Sequence, residues 1–224
     1  MKKRLDKKVM KNRFRVAIFG SARIKRGDSR YKLIRNLAKA IACEGIDIVT
    51  GGGPGLMDAA SRGHHAGRIG KNAYTVGLTI HLPKEQKESY HLDLKKDFHK
   101  FSNRLDNFIY LSNIVVVAPG GIGTILELMY VWQLVQVRHS CEIPIILFGD
   151  IWTGFIKWIK KGPLQNRFLD KKDLELLYHA RNCTEAMKII ELAQEEYKKG
   201  RKEICLNIHT VSYTHLTLPT TPYV

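Results

Sequence analysis

Short apolar runs alternate with stretches of helical periodicity from residue 14 onwards. "FRVAIF" (14–19) reads as a buried strand, and in 29–44 Tyr31, Ile34, Leu37, Ala38 and Ile41 recur at three- and four-residue steps, the mark of an amphipathic helix. "IDIVT" supplies a second strand; "GGGPG" and a helix opened by Pro54, a residue suited to a first helical turn, come next. "AYTVGLTI" (73–80) is a third strand, and the polar segment 81–96 reads as a long loop of the length that tends to be functional. A helix over about 97–112, the strand "NIVVVA", a glycine-rich turn, a helix over about 124–138 and the strand "IPIILFG" follow, then helices over 152–161 and 184–199. Strict alternation of strand and helix predicts an α/β chain, a doubly wound parallel sheet with helices on both faces.

In such sheets ligands bind beyond the carboxyl ends of the strands. That rule gathers three glycine-bearing loops on one rim: "GSAR" from Gly20 and Ser21, "TGGGPG" with Gly51, Gly52 and Gly53, and "PGGIGT" with Gly120, Gly121, Ile122, Gly123 and Thr124. Glycines let backbone N–H groups converge on an oxyanion, and a helix starting there adds its positive dipole end, so phosphate is the natural guest. Neither G-x-x-x-x-G-K-[ST] nor G-x-G-x-x-G is spelled after these strands, which argues against a triphosphate P-loop and a standard NAD site. The alternative is that the glycines only make tight strand-to-helix turns.

Glu127 stands one turn beyond the last of these loops. Thr124 and Glu127 have the T-x-x-E spacing of a capping box, which would satisfy helix N-terminal donors and nothing more. Against that, the helix is apolar at most positions, with polar residues confined to Thr124, Glu127, Gln133 and Gln136, and such a helix is expected to be buried by the sheet and by a second subunit. A carboxylate beside an anion cradle is useful where chemistry develops positive charge or needs a proton acceptor. Cleavage of an N-glycosidic bond does both, because the ribose becomes oxocarbenium-like as the base leaves.

Composition bounds the rest. With 224 residues and no long polar linker in its middle, the chain reads as one domain over 14–203, preceded by a basic, disordered arm (1–13) and followed by a tail (204–224) of uncertain status. Within that tail, 211–224 ("VSYTHLTLPTTPYV") reads as translated adapter sequence, with a native edge strand as the alternative. The formal charge of +16 invites nucleic acid, but residues 1–15 alone hold eight Lys or Arg against one Asp, so much of the excess sits on the arm. No secretory h-region and no run of about 18 apolar residues is present, so no membrane contact is expected. Cys43, Cys141, Cys183 and Cys205 form no C-x-x-C pair and are expected to fill apolar space in a reducing cytoplasm. His64 and His65 are adjacent, point about 100 degrees apart on a helix and read as surface residues at its end. Trp152 and Trp158 read as core or interface residues.

"GSAR", "VTGGGPGLMDAASRGHHAG", "LPKEQ" and above all "PGGIGTILE" resemble the LOG family of cytokinin-activating phosphoribohydrolases, long described as lysine decarboxylases, over residues 14 to about 200. The resemblance implies a Rossmann-like fold, a homodimer, and hydrolysis of nucleoside 5′-monophosphates such as AMP or cytokinin riboside monophosphates to free base and ribose 5-phosphate. It implies no metal or redox cofactor. The family's catalytic glutamate and upstream arginine fall on Glu127 and on Arg104, which lies 15 residues before Pro119. On residue pattern alone Arg104 sits at the shoulder of an apolar helix face, where it either reaches the rim or snorkels over Phe108. The 5′-phosphate would then lie on Gly120 to Thr124, with Gly20, Ser21, Gly51, Gly52, Gly53 and Met57 toward ribose and base. Leu105 and Leu126 depart from the family's usual basic and acidic neighbours and bear on substrate choice. Rossmann-like relatives with similar glycine loops leave two other readings open: a non-catalytic carrier of nucleotide or molybdenum cofactor, and a single-strand DNA binder.

Overall fold

The computed structural model describes residues 3–4, 13–68, 70, 72–80, 89, 91–137 and 143–200. Its strands are β1 (Lys3–Arg4), β2 (Arg15–Phe19), β3 (Asp47–Thr50), β4 (Thr75–Ile80), β5 (Leu94–Phe98), β6 (Ile114–Val117), β7 (Ile145–Phe148) and β8 (Leu177–Ala180). Helices α1 (Ser29–Cys43), α2 (Leu56–Gly67), α3 (Phe101–Leu111), α4 (Ile122–Gln136), α5 (Trp152–Ile159), α6 (Lys171–Leu174) and α7 (Cys183–Lys198) connect them, and a π-helical turn (Lys160–Leu164) accommodates Pro163 after α5.

All pairings are parallel, in the order β1-β5-β4-β3-β2-β6-β7-β8. The chain winds outward from β2 through β3, β4 and β5, then returns to lay β6 on the other side of β2 and winds the opposite way. This is a Rossmann-like doubly wound sheet with its topological switch between β2 and β6. One face carries α1, α2 and α7 over a core that includes Ile18, Ile34, Leu37, Ile41, Ile48 and Ile190; the other carries α3, α4 and α5 over Phe19, Val49, Phe108, Val117, Leu128 and Leu147. Fully burying each such side chain contributes about 1.5–3 kcal/mol. Helices α1 and α2 meet backbone to backbone, because a Cβ on Gly63 would stand 2.0 Å from the Arg35 carbonyl oxygen and one on Gly67 2.2 Å from that of Lys39. The R-G-H-H-A-G end of "VTGGGPGLMDAASRGHHAG" is thus a helix-packing device.

Several expectations are corrected. Leu94–Phe98, placed in a loop and helix by its lysines, is a strand; Leu94 and Phe98 are buried, while Lys96 stands 5.0 Å over the Phe98 ring and donates to Asn107 Oδ1 at 2.8 Å. The short β8 and α6 were not expected, and α2 starts at Leu56, after Pro54. Lys3–Arg4, within the arm expected to be disordered, pair with Leu94 and Lys95. His64 is fully buried, its Nε2 2.8 Å from Ile46 O and its Nδ1 2.8 Å from Thr75 Oγ1, whereas His65 is exposed. Cys43 is exposed and Cys183 half-buried; Cys141, Cys205 and the segments 82–86 and 204–224 lie outside the described residues. Trp152 is buried and Trp158 exposed. The flank of α4 is open: Leu128, Val131, Trp132 and Val135 are buried, but Ile122, Ile125 and Leu126 are exposed.

Candidate active site

The switch point brings two of the glycine loops into contact. Beyond β2, the Ser21 N–H donates to Pro119 O beyond β6 at 3.1 Å, and Ser21 O accepts from the Leu56 N–H at 2.8 Å, which ties in the start of α2. Gly20 packs here too, since a Cβ on it would lie 2.9 Å from Leu56 Cβ. The loop after β3 contributes Gly52, with φ +69, whose carbonyl accepts from the Ser89 N–H at 2.9 Å, and the buried Gly53. All three loops stand at the carboxyl ends of their strands.

Helix α4 opens with Gly121 as N-cap, and no side chain caps its first turn. The capping box spelled by Thr124 and Glu127 is therefore not formed: Thr124 is inside the helix, almost fully buried, and its Oγ1 packs where a Cβ on Gly120 would stand at 2.0 Å. The opening N–H groups of α4 are left to an outside acceptor. Gly121 and Gly123 differ from Gly120, because a Cβ on either would meet no protein atom within 4 Å. Packing does not require glycine at those two positions.

One and a half turns into α4, Glu127 meets Arg104 of α3. Arg104 Nη1 donates to Glu127 Oε1 at 3.3 Å, with side-chain exposures of 8% and 13%. Arg104 Nε donates to Leu78 O at 2.7 Å, and the guanidinium stands 5.1 Å over the Phe108 ring. The two alternatives for Arg104 are both realised, since it covers Phe108 and reaches Glu127. Burial pushes the Glu127 carboxyl up to about 7, against the pull of Arg104. Burial also lowers Arg104, opposed by Glu127, but a guanidinium remains cationic at neutral pH. Around neutrality the pair holds a carboxyl poised between its charged and neutral forms beside a fixed cation, a state suited to proton transfer or to meeting a developing positive charge.

The expected residues thus fall into groups. Arg104 and Glu127 touch; Gly120 and Thr124 pack on each other; Gly121, Ile122 and Gly123 lie exposed at the start of α4; Gly51 and Met57 pack around Arg104. Leu78 O and the Phe108 ring, which hold the guanidinium, carried no sequence signal of such a role: a backbone acceptor has no residue type, and a phenylalanine on an apolar face reads as core. Among the described residues no group of three or more His, Cys, Asp or Glu side chains is arranged to hold a metal ion, and no helix is long and apolar enough to cross a membrane.

Comparison with known proteins bears on the family and the fold. The chain is 27% identical over 131 residues to the pyrimidine/purine nucleotide 5′-monophosphate nucleosidase of Escherichia coli (strain K12), a match that spans 54% of this chain and 28% of that protein. Among solved structures, the molybdenum cofactor binding protein of Rippkaea orientalis superposes with a TM-score of 0.60 at 18% identity, covering 80% of this chain and 96% of that one. The molybdenum cofactor carrier protein of Chlamydomonas reinhardtii does so with a TM-score of 0.56 at 16% identity, covering 82% and 99%. These two share the fold. The family model described as "possible lysine decarboxylase" matches residues 57–190, which hold Arg104, the "PGGIGT" loop and Glu127, and the chain belongs to that family, the LOG family.

Proposed function

We propose that the chain hydrolyses the N-glycosidic bond of nucleoside 5′-monophosphates, of the AMP or cytokinin riboside monophosphate type, to free base and ribose 5-phosphate. The observation that carries this reading is the buried Arg104–Glu127 pair beside an uncapped, glycine-opened helix at the switch point of the sheet. The amides of Gly121 to Thr124 take the 5′-phosphate, and Gly121 and Gly123 leave room for it where a Cβ would intrude on ligand rather than on protein. Gly20, Ser21, Gly52 and Gly53 line the ribose and base side.

With the phosphate anchored, the anomeric carbon comes to Glu127. The C1′–N bond breaks with its electron pair leaving on the base; the carboxylate meets the oxocarbenium-like sugar and accepts a proton from the attacking water. The water oxygen bonds to C1′, and the proton held by Glu127 returns to the departing base, so that one water is consumed and no other reactant is needed. Arg104 keeps Glu127 in place and ionised often enough to act.

The nucleotide nucleosidase among the relatives supports this choice of substrate over a carried cofactor, and the shared fold of the carrier proteins does not discriminate. A homodimer belongs to the same reading: Ile122 (88% exposed), Ile125 and Leu126 stand exposed on one side of α4, an apolar stripe that a second copy would cover. A cytoplasmic setting, where nucleoside monophosphates abound, completes it. The test is incubation of the purified chain with a panel of nucleoside monophosphates, followed by chromatography for free base and ribose 5-phosphate. Adenine release from AMP is the expected result; no base from any member of the panel overturns the proposal.

A further inference from the structure

The guanidinium of Arg104 occupies a slot with walls from four segments. Nε is fixed by Leu78 O within β4, Nη1 by Glu127, and the flat face by Phe108. The remaining nitrogen, Nη2, lies against Gly51. A Cβ built on Gly51 would come to 2.3 Å from Nη2 and 2.6 Å from the sulfur of Met57, both ends of side chains rather than backbone. Gly51 is not among the glycines with positive φ, so its backbone would accept any residue. What excludes a side chain at this position is the arginine, most closely, and the Met57 sulfur beside it.

We infer that Gly51 is a positioning residue: by lacking a side chain it seats Arg104 so that Nη1 meets Glu127, and this glycine of the "TGGGPG" loop acts on the reaction through the arginine rather than by contact with the ligand. The inference rests on the hydrolase reading for its kinetic consequence, and on geometry alone for its structural one. A methyl group at residue 51 must drive Nη2 back by about 1 Å to reach ordinary contact, and Leu78 O and Phe108 leave the planar fork no way to yield without turning Nη1 from Glu127. Displacements of that size cost on the order of 10- to 100-fold in rate. A lysine at 104 has no second terminal nitrogen, so the same methyl group would then press only on the flexible Met57 side chain.

The experiment is a double-mutant cycle between Gly51→Ala and Arg104→Lys on the full chain, with turnover of AMP as one readout and the carbon-13 NMR titration of the Glu127 carboxyl, without ligand, as the other. Gly51→Ala is expected to lower kcat about 10- to 100-fold with KM changed by less than about threefold. The double variant is expected to match Arg104→Lys within about twofold, because the second substitution removes what the first disturbs. The Glu127 midpoint should move in Gly51→Ala and stay the same between Arg104→Lys and the double variant.

Effects that multiply, a raised KM with kcat kept, or restoration by Met57→Ala instead would each overturn the inference. So would a Gly51→Ala chain that unfolds and is not restored to the folded state by Arg104→Lys. If the wild type releases no base from any nucleotide while the titration still shows the coupling, the hydrolase reading fails and the arginine seat stands. If the wild type is active and the effects multiply, the seat fails and the hydrolase reading stands.

Discussion

Replacing Glu127 by Gln keeps the shape of the site and removes both charge and basicity. In the wild type, burial raises the carboxyl from 4.5 to about 7 despite Arg104 at 3.3 Å, a displacement equivalent to about 3 kcal/mol held against the ionised form. The sign of its effect on stability follows. Between pH 4.5 and about 7 the folded chain keeps a proton that the unfolded chain has lost, so Glu127 makes stability fall as pH rises across that window and level off above it. A side chain kept at this cost is expected to work as the anion.

If the carboxylate form acts, its population sets the rate. With a midpoint at about 7, roughly a tenth of the sites are ionised at pH 6 and nine-tenths at pH 8, so kcat/KM should rise about ninefold over that interval. The phosphate of the substrate titrates as well, with a second pKa of about 6, so wild type and Glu127→Gln must be compared at each pH, where the substrate's own titration cancels. Base release measured by chromatography should be lower in Glu127→Gln by on the order of 100-fold or more at pH 8, with AMP binding retained, and the ratio between the two proteins should shrink by about ninefold at pH 6. A ratio that is flat, or larger at pH 6 than at pH 8, would mean that the ionised form is not the working one. Wild-type turnover in Glu127→Gln would remove the residue from the mechanism altogether.

Three further outcomes test the frame around the site. Gly123→Ala adds a methyl group where nothing beyond its own helical turn lies within 4 Å, in the first turn of a helix, and should raise the unfolding free energy by up to about 1 kcal/mol in urea titration while raising KM for AMP; an unchanged KM would show that the phosphate does not lie there. His64 is buried between Ile46 O and Thr75 Oγ1, and burial lowers its pKa, so the unfolded chain takes up a proton below about pH 6.5 that the folded chain refuses; urea midpoints of wild type and His64→Gln should converge as pH falls from about 7.5 to 5.5, and parallel curves would contradict it. Asp47, 1% exposed, accepts from Arg13 Nε at 2.6 Å and Nη2 at 2.7 Å and from the Tyr74 N–H at 2.8 Å, so Asp47→Ala should cost about 3–5 kcal/mol by denaturant unfolding, whereas a loss below about 1 kcal/mol would mark the cluster as solvent-compensated.

What could be read along the chain, and what could not, divides by the range of the interaction. Strands β2, β3, β6 and β7 announce themselves as near-continuous apolar runs because both faces of a central parallel strand are covered. β5 lies toward the edge of the sheet, where Lys95 can pair with Asp97 at 2.9 Å and Lys96 can reach over Phe98, so its composition resembles a loop. His64 looked like a surface residue because both of its polar partners come from other elements, at positions 46 and 75. Glu127 and the "PGGIGT" loop were legible as a local motif, and Arg104 through the family resemblance. That Arg104 would lie against residues 51, 78, 108 and 127 depends on the register of β3, β4 and β6, which no local pattern states.

The glycines make the same point more sharply, because in the sequence they all look alike. Gly51 yields to an arginine, Gly120 to a threonine, Gly20 to a leucine, Gly63 and Gly67 to a neighbouring helix; each is glycine because protein already fills the space of its Cβ. Gly121 and Gly123 have no such neighbour, yet they sit at the start of an uncapped helix beside the Arg104–Glu127 pair. Gly51, Gly52 and Gly55 of the "TGGGPG" loop have protein where a Cβ would stand, whereas Gly121 and Gly123 of the "PGGIGT" loop have open space there. A phosphate needs space together with free amides, so under the proposed function the anion is expected on α4, with the "TGGGPG" loop behind the site against Arg104.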